Sequence, residues 1–201
     1  WWWLAGKLAA RRWDGTPPAP PPIKQMVVKS YGRDTGTRTL VETGTFRGEM
    51  VAAARWWFKE IHTIELEPVF AEMARRRFRW SRGIHVHEGD SATILPKVIE
   101  SLTGPAVFWL DAHFSEGGTA RGEKETPIED ELSLLLSHPS ARVVLIDDAR
   151  LFGHGDYPPL ARVEDLARAA GRSMEIDVDI IRILDDDAGA TAHRHEGRRS
   201  R

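Results

Sequence analysis

Short apolar runs alternate with longer amphipathic stretches through the middle of this chain. The short runs are rich in β-branched and aromatic residues, and several are apolar on both faces, as buried parallel strands require. These predicted strands are Thr39–Thr43, His62–Leu66, Ile84–Glu88, Ala106–Asp111 and Val143–Asp147. The longer stretches predict helices at Gly48–Lys59, Pro68–Trp80, Ser91–Leu102, Pro127–Ser137 and Pro159–Ala170. The segment Glu175–Leu184 predicts one or two further strands.

This order of strands and helices predicts an α/β fold: a Rossmann-like, doubly wound, mostly parallel sheet with helices on both faces. We assign residues 23–184 to this domain. In such sheets, ligands bind at the carboxyl ends of the strands. The residues that directly follow each predicted strand are therefore the first place to look for chemistry.

The two ends of the chain differ from this pattern. Residues 1–13 contain four of the eight tryptophans, whose rings we expect to pack on the domain or on a second subunit of a homodimer; an amphipathic membrane-surface anchor is the alternative. The proline-rich run Thr16–Pro22 predicts a stiff extended linker and no helix, so residues 1–22 form a tryptophan-rich segment and a linker. Residues 185–201 predict a disordered tail, whose His193 and His195 could bind a metal ion weakly.

Composition and charge exclude several classes of protein. The chain has 28 Lys and Arg against 30 Asp and Glu, for a formal net charge of −2, so it lacks the basic surplus that is typical of nucleic-acid binders. It has no cysteine, which excludes disulfides, zinc–thiolate sites and cysteine nucleophiles. No apolar run approaches the roughly 20 residues of a membrane span, and the first residues do not resemble a signal peptide. We expect a cytoplasmic protein.

A glycine-containing turn follows the first predicted strand. The sequence Glu42–Gly48 has the spacing E-x-G-x-x-x-G, and Phe46 takes the place of the middle glycine of a dinucleotide-binding loop. Such a turn, opening a helix, lets the backbone approach a ligand and offers amide donors to it. Ordinary packing of a helix on a strand would explain the turn equally well.

The second and third predicted strands also end in polar residues. Glu65 lies about 20 residues beyond the glycine turn, where a carboxylate can accept hydrogen bonds from a ribose diol; the nearby Glu67 is more typical of a solvated acid. Asp90 or Ser91 can cap the next helix, and either can hydrogen-bond an adenine edge. These two uses are compatible.

The fourth and fifth predicted strands end in three aspartates: Asp111, Asp147 and Asp148. The two strand ends would be neighbours in a parallel sheet, so the three carboxylates would converge and repel one another. A hard divalent cation with oxygen ligands would relieve this repulsion. The alternatives are a helix cap made by Asp148 and an ion pair between an aspartate and Arg150.

The motifs ETGTFRG, TIELEP, EGDSATILP, WLDAH and LIDDAR, in this order, resemble class I S-adenosylmethionine-dependent methyltransferases. Within that superfamily they are most similar to the metal-dependent, catechol-type O-methyltransferases, and the resemblance covers about residues 24–184. It implies S-adenosyl-L-methionine as the cofactor, with Mg²⁺ or another hard divalent cation. It also implies methylation of a hydroxyl on a small molecule such as a sugar, a phenol or a polyketide.

The resemblance assigns roles to single positions of this chain. Glu65 would hold the ribose, and Asp90 with Ser91 would flank the adenine. The methionine part of the cofactor would lie along the glycine turn, at Glu42, Thr43, Gly44, Thr45 and Gly48. The metal ligands would be Asp111, Asp147 and Asp148, the last in place of the usual asparagine. Asp111 would also contact the cofactor and take part in catalysis.

One position departs from the family pattern. Those enzymes have a lysine base three positions after the first metal aspartate, and here that position is Phe114. His113 is the candidate catalytic base in its place, since an imidazole has a suitable pKa. The glycine-rich segment His113–Pro127 predicts a lid, from which Arg121 or Lys124 could reach an anionic substrate.

Two other functions stay open at this point. The chain could bind S-adenosylmethionine without methylating anything, as a regulatory or partner-binding module; the missing lysine favours this. The acidic cluster could instead belong to a metal-dependent hydrolase in which Asp111 and His113 activate water. The hydrolase would leave the glycine turn and Glu65 without a role.

Overall fold

Seven strands form one sheet in the computed structural model, which describes residues 8, 12–111, 128–155 and 157–185. The strands are β1 Thr39–Thr43, β2 Glu60–Glu65, β3 Ile84–Glu88, β4 Ala106–Leu110, β5 Ala141–Ile146, β6 Ser173–Asp177 and β7 Ile180–Leu184. Their order across the sheet is β3-β2-β1-β4-β5-β7-β6. Strands β1 to β5 are parallel, and β7 runs antiparallel to both of its neighbours. The predicted mostly parallel sheet is confirmed.

Within the described residues from Pro21 onward, six helices cover the two faces of the sheet. They are α1 Pro21–Asp34, α2 Glu49–Ala54, α3 Pro68–Phe78, α4 Ser91–Ser101, α5 Ile128–Ser137 and α6 Leu160–Ala169, and a short 3₁₀ turn follows β5 at Ala149–Leu151. Helices α1 to α3 pack in one apolar core with Leu40 and Trp109, whereas α4 to α6 pack in a second core with Val41 and Phe108. Neighbouring strand residues thus point to opposite cores, as the alternation of a doubly wound sheet requires. Among the described residues, no helix is long and apolar enough to cross a membrane.

The final segment folds as two strands. Strands β6 and β7 pair as a hairpin whose turn residues, Val178 and Asp179, both have positive φ, at 50° and 64°. Two positive φ angles in a two-residue loop match the right-handed twist of the paired strands. The hairpin places β7 beside β5, where it completes the antiparallel edge of the sheet.

Helix α1 corrects the interpretation of the proline-rich run. Thr16–Pro22 was expected to be a linker without helix, yet α1 begins at Pro21 and has proline at its first two positions. The first N–H groups of a helix have no partner inside it, so proline is tolerated there. Ile23, Val27, Val28 and Tyr31 of α1 are buried on the domain, so the last two prolines of the expected linker belong to a packed helix. Most of residues 1–11, and the predicted tail after Asp185, lie outside the described residues.

Gly83 offers a test of how β3 is held at the edge of the sheet. Its carbonyl oxygen accepts a hydrogen bond from the Ile61 N–H at 2.8 Å, and a Cβ at this position would lie 2.0 Å from the Lys59 carbonyl oxygen. Gly83→Ala should lower the free energy of unfolding by about 1–3 kcal/mol, because backbone must shift to make room. Urea denaturation measures the change.

Gly104→Ala is the matched control, since a Cβ there meets no atom within 4 Å. Its free energy of unfolding should stay within about 0.5 kcal/mol of the original. Equal losses in the two variants would contradict the packing seen around Gly83.

Candidate functional site

The carboxyl ends of β1 to β5 meet at one edge of the sheet. Backbone hydrogen bonds tie the first residues beyond the strands together: the Gly44 N–H donates to the Ile64 carbonyl at 3.0 Å, the Gly89 N–H to that of Glu65 at 2.9 Å, and the Asp147 N–H to that of Leu110 at 3.0 Å. The predicted site residues therefore lie along a single edge. They share this edge because β1 pairs in parallel with β2 and β4, and β4 pairs in parallel with β5.

Glu65 fixes the glycine turn. Its Oε2 accepts a hydrogen bond from the Phe46 N–H at 2.6 Å, and its Oε1 accepts one from the Glu67 N–H at 2.9 Å. The turn needs left-handed backbone at Gly44, Phe46 and Gly48, and the buried carboxylate of Glu65 holds it in that shape. An ionised carboxylate can accept about four hydrogen bonds, so Glu65 keeps capacity for a ligand.

Glu42 is a buried carboxyl beside this turn. The Thr63 hydroxyl donates to its Oε2 at 2.5 Å, and the Thr45 hydroxyl lies 2.5 Å from that of Thr63. Burial raises the pKa of Glu42 to about 8, and the charges of Asp111 and Glu65 add to the rise. At neutral pH the carboxyl is therefore mostly protonated. A cation brought next to it would favour the ionised form.

The three predicted aspartates come together after β4 and β5. One carboxylate oxygen from each of Asp111, Asp147 and Asp148 lies within 4.8 Å of the others. Asp148 adopts a left-handed backbone with φ 56° and ψ 48°, and its N–H donates to Asp147 Oδ1 at 2.9 Å. The ion pair with Arg150, which was an alternative to a metal site, is present, since Arg150 Nη1 lies 2.6 Å from Asp148 Oδ1. Asp148 precedes the 3₁₀ turn but its side chain makes no cap hydrogen bond.

Lys24 enters this cluster from α1, which the sequence did not predict. Its Nζ lies 2.5 Å from Asp147 Oδ2 and 3.3 Å from Asp148 Oδ1. Burial lowers the pKa of Lys24, but attraction to Asp147 and Asp148 outweighs it, so the pKa is raised and the ammonium form persists. The pKa of Asp147 is nevertheless raised, because its own burial and the charge of Asp111 outweigh the lysine.

The acidic cluster has the donor set of a hard divalent cation. Three carboxylates supply oxygen ligands, as Mg²⁺ and Ca²⁺ prefer, and the position of Lys24 shows that a positive charge is accommodated between two of them. The residues therefore fit a metal ion. Such an ion would compete with the Lys24 ammonium for Asp147 and Asp148.

Asp90 and Ser91 begin α4, next to the end of β2. The Asp90 carboxylate caps the helix by accepting a hydrogen bond from the Ala92 N–H at 2.9 Å, which confirms the capping role.

Glu131, in the first turn of α5, is buried nearby. Burial raises its pKa to about 7, although the Ser91 hydroxyl works in the opposite direction. No feature of the sequence singled out Glu131.

The region expected to supply the base lies outside the described residues. These undescribed positions include His113, Phe114, Arg121 and Lys124, so the base and the lid stay predictions.

Tyr157 is a further neighbour of the acidic cluster that the sequence did not reveal. Burial raises the pKa of its hydroxyl, and the charges of Asp148 and Asp111 add to the rise.

No protein-family model matches the chain, and no curated protein matches it. Solved structures do match in fold. The SAH-bound methyltransferase PaMTH1 of Podospora anserina has a TM-score of 0.57 and 14% identity over 91% of this chain and 86% of its own. The O-methyltransferase TomG of Streptomyces achromogenes, in complex with SAM, has a TM-score of 0.56 and 22% identity over 90% and 87%. An O-methyltransferase from Bacillus cereus, in complex with SAH, has a TM-score of 0.55 and 15% identity over 90% and 88%. The likeness confirms that this chain has the predicted class I methyltransferase fold.

The buried carboxyl of Glu42 should make stability depend on pH. Its pKa is about 8 in the folded protein against an ordinary 4.5, so between these values folding takes up a proton. Its contribution to stability is complete below about pH 4.5 and is lost as pH rises to about 8, with a slope of at most about 1.4 kcal/mol per pH unit. Glu42→Gln should remove this share of the slope in urea denaturation from pH 5 to pH 8.

The exposed Glu164→Gln is the control, and it should leave the slope unchanged. The pKa values of Asp147 and Glu131 are also raised in the folded protein. Part of the pH dependence of stability should therefore remain in every variant. A Glu42→Gln profile parallel to that of the original protein would show that Glu42 is ionised in the folded state.

Proposed function

We propose that this protein is an S-adenosylmethionine-dependent methyltransferase that methylates a hydroxyl oxygen of a small molecule. The observation that carries the proposal is the bonding of Glu65 to the Phe46 N–H at 2.6 Å. This contact connects two parts of the proposed cofactor site. The Glu65 carboxylate is suited to bind a ribose diol, and the glycine turn is suited to bind the methionine part. The Asp111 N–H donates to the Thr43 carbonyl at 3.1 Å, so the acidic cluster begins beside the same turn.

The cofactor would extend across the carboxyl ends of β1 to β3. Its methionine part would lie along Glu42, Thr43, Gly44, Thr45 and Gly48, its ribose at Glu65, and its adenine near Asp90 and Ser91. Glu42 supports this orientation, because a cationic group of the cofactor beside this buried carboxyl would shift it to the ionised form and pair with it. PaMTH1 and TomG, which share the fold, were solved with SAH and SAM.

Methyl transfer from a sulfonium is an in-line displacement, so the protein mainly has to align donor and acceptor and exclude water. A divalent ion on Asp111, Asp147 and Asp148 would lower the pKa of an acceptor hydroxyl and fix its direction. An acceptor with two adjacent oxygens, such as a catechol, a diol or a hydroxy-carbonyl group, would suit this cluster best. His113 remains the proposed base, because the carboxylates keep Lys24 protonated.

Lys24 also supports a second candidate function. Its ammonium lies between two carboxylates of the cluster and could act there as a permanent internal counter-ion. The protein would then bind S-adenosylmethionine without metal-assisted transfer, as a regulatory or partner-binding module. Tight binding of the cofactor without turnover, in the presence of Mg²⁺ and a panel of catechols and diols, would favour this second function.

Cofactor binding should depend on Glu65 and not on its neighbour Glu67. In Glu65→Gln, the new amide NH₂ faces backbone N–H donors and the negative charge is lost. We expect S-adenosylmethionine to bind about 1–3 kcal/mol more weakly, as measured by isothermal titration calorimetry. Glu67→Gln keeps an oxygen that can accept the Val69 N–H, and it should bind the cofactor normally. Unchanged affinity in Glu65→Gln would remove this residue from the site.

Methyl transfer should depend on Asp147 separately from cofactor binding. Asp147→Asn removes one of the three charges that would hold the metal ion, so Mg²⁺-stimulated transfer of a labelled methyl group to a catechol should fall at least about 100-fold. The dissociation constant of S-adenosylmethionine should change less than about threefold. Asp165→Asn, at an exposed position on α6, is the control. Equal losses of transfer and cofactor binding in Asp147→Asn would mean that this aspartate is structural.

A further inference from the structure

A histidine cluster lies on β2 and β3, the two neighbouring strands at one edge of the sheet. Glu60 and His62 are two residues apart on β2, and His85 and His87 are two residues apart on β3. Side chains two residues apart on a strand point to the same face. The register pairs His62 with His85 and Ile64 with His87, so all four polar side chains share one face.

Three of these side chains bring potential ligand atoms together. Glu60 Oε1 lies 3.2 Å from His62 Nε2 and 3.9 Å from His85 Nε2, and one ligand atom from each residue lies within 4.8 Å of the others. Ligand atoms around a tetrahedral zinc ion, with bonds of about 2.0–2.1 Å, are about 3.4 Å apart. Small side-chain adjustments would therefore bring the three into ligand geometry.

His87 contacts the second ring nitrogen of His62. Its Nε2 lies 3.1 Å from His62 Nδ1, and the two rings are nearly parallel at 9° with centroids 5.3 Å apart. With His62 Nε2 on a metal ion, the His62 Nδ1–H would donate to His87. A histidine ligand in proteins almost always has such a partner, which fixes its tautomer and orientation.

The local charges are compatible with a bound cation. Arg75 is a cation whose charge acts on His87, and its guanidinium is paired with Glu88 at 2.7 Å. Glu60 supplies the negative charge.

We infer that Glu60, His62 and His85 form a binding site for a first-row transition-metal ion such as Zn²⁺, with His87 as the positioning residue for His62. Two nitrogens and one carboxylate oxygen suit Zn²⁺ better than Mg²⁺, and the half-exposed Glu60 and His85 leave the fourth position to water. Glu60 begins β2, about 16 Å along the strand from Glu65. A metal ion here would join the edge strand β3 to β2 and would not take part in the chemistry of the cleft.

Titration of the protein with ZnCl₂, in the presence of a competing chelating dye and without S-adenosylmethionine, tests this site. His85→Ala truncates a side chain that is 44% exposed, so the fold should survive. It should lower zinc affinity at least about 100-fold, and His87→Ala should lower it about 10- to 100-fold. The exposed His154→Ala is the matched control and should bind zinc as the original protein does. The His193→Ala/His195→Ala double variant should also keep this site, although it lacks the two histidines of the predicted tail.

Cobalt gives a second measurement. Co²⁺ bound by the original protein should show the strong visible absorption of a four-coordinate ion, and His85→Ala should lose that absorption. Normal zinc affinity in His85→Ala, or no zinc bound by the original protein, would overturn the inference. Loss of zinc binding in Asp147→Asn but not in His85→Ala would also overturn it, since the ion would then belong to the acidic cluster. All these outcomes are independent of methyl transfer.

Discussion

The repulsion among three carboxylates at the ends of β4 and β5 is the constraint on which this structure depends. Parallel pairing of the two strands brings Asp111, Asp147 and Asp148 together, and burial makes their charges costly. Lys24 and Arg150 provide the compensating charge. Helix α1 packs where Lys24 can reach Asp147, so the cluster helps to determine how this helix docks on the sheet.

The neighbouring acids at the same edge have different tasks because their surroundings differ. Glu65 accepts two backbone N–H groups and shapes the glycine turn, whereas Glu42 has hydroxyl partners and is mostly protonated at neutral pH. An edge of the sheet that combines the hydrogen-bonded side chain of Glu65, the mostly protonated carboxyl of Glu42 and an acidic cluster is suited to a cationic ligand. S-adenosylmethionine, with its sulfonium and ammonium groups, is such a ligand.

Local patterns were enough to predict most of the fold. Thr39–Thr43 and Ile84–Glu88 have the predicted bounds, because each is a compact β-branched run next to polar or glycine residues. Helix α1 was missed because its first two residues are prolines, which also indicate a linker. Lys24 meets Asp147 across 123 residues of sequence, and no local pattern reports such a pairing. The alternating histidines of β3 did carry a signal, but only the register with β2 shows that they form a cluster.

A crystal structure with S-adenosylhomocysteine and Mn²⁺ would show whether the cofactor and the metal ion share one site, because anomalous scattering locates the ion independently of the nucleoside. We expect ribose hydroxyls within hydrogen-bond distance of Glu65, with the sulfur near the glycine turn. We also expect an anomalous peak among Asp111, Asp147 and Asp148, in the same cleft as the sulfur. A nucleoside bound away from Glu65, or separated from the acidic cluster by the body of the sheet, would contradict this expectation.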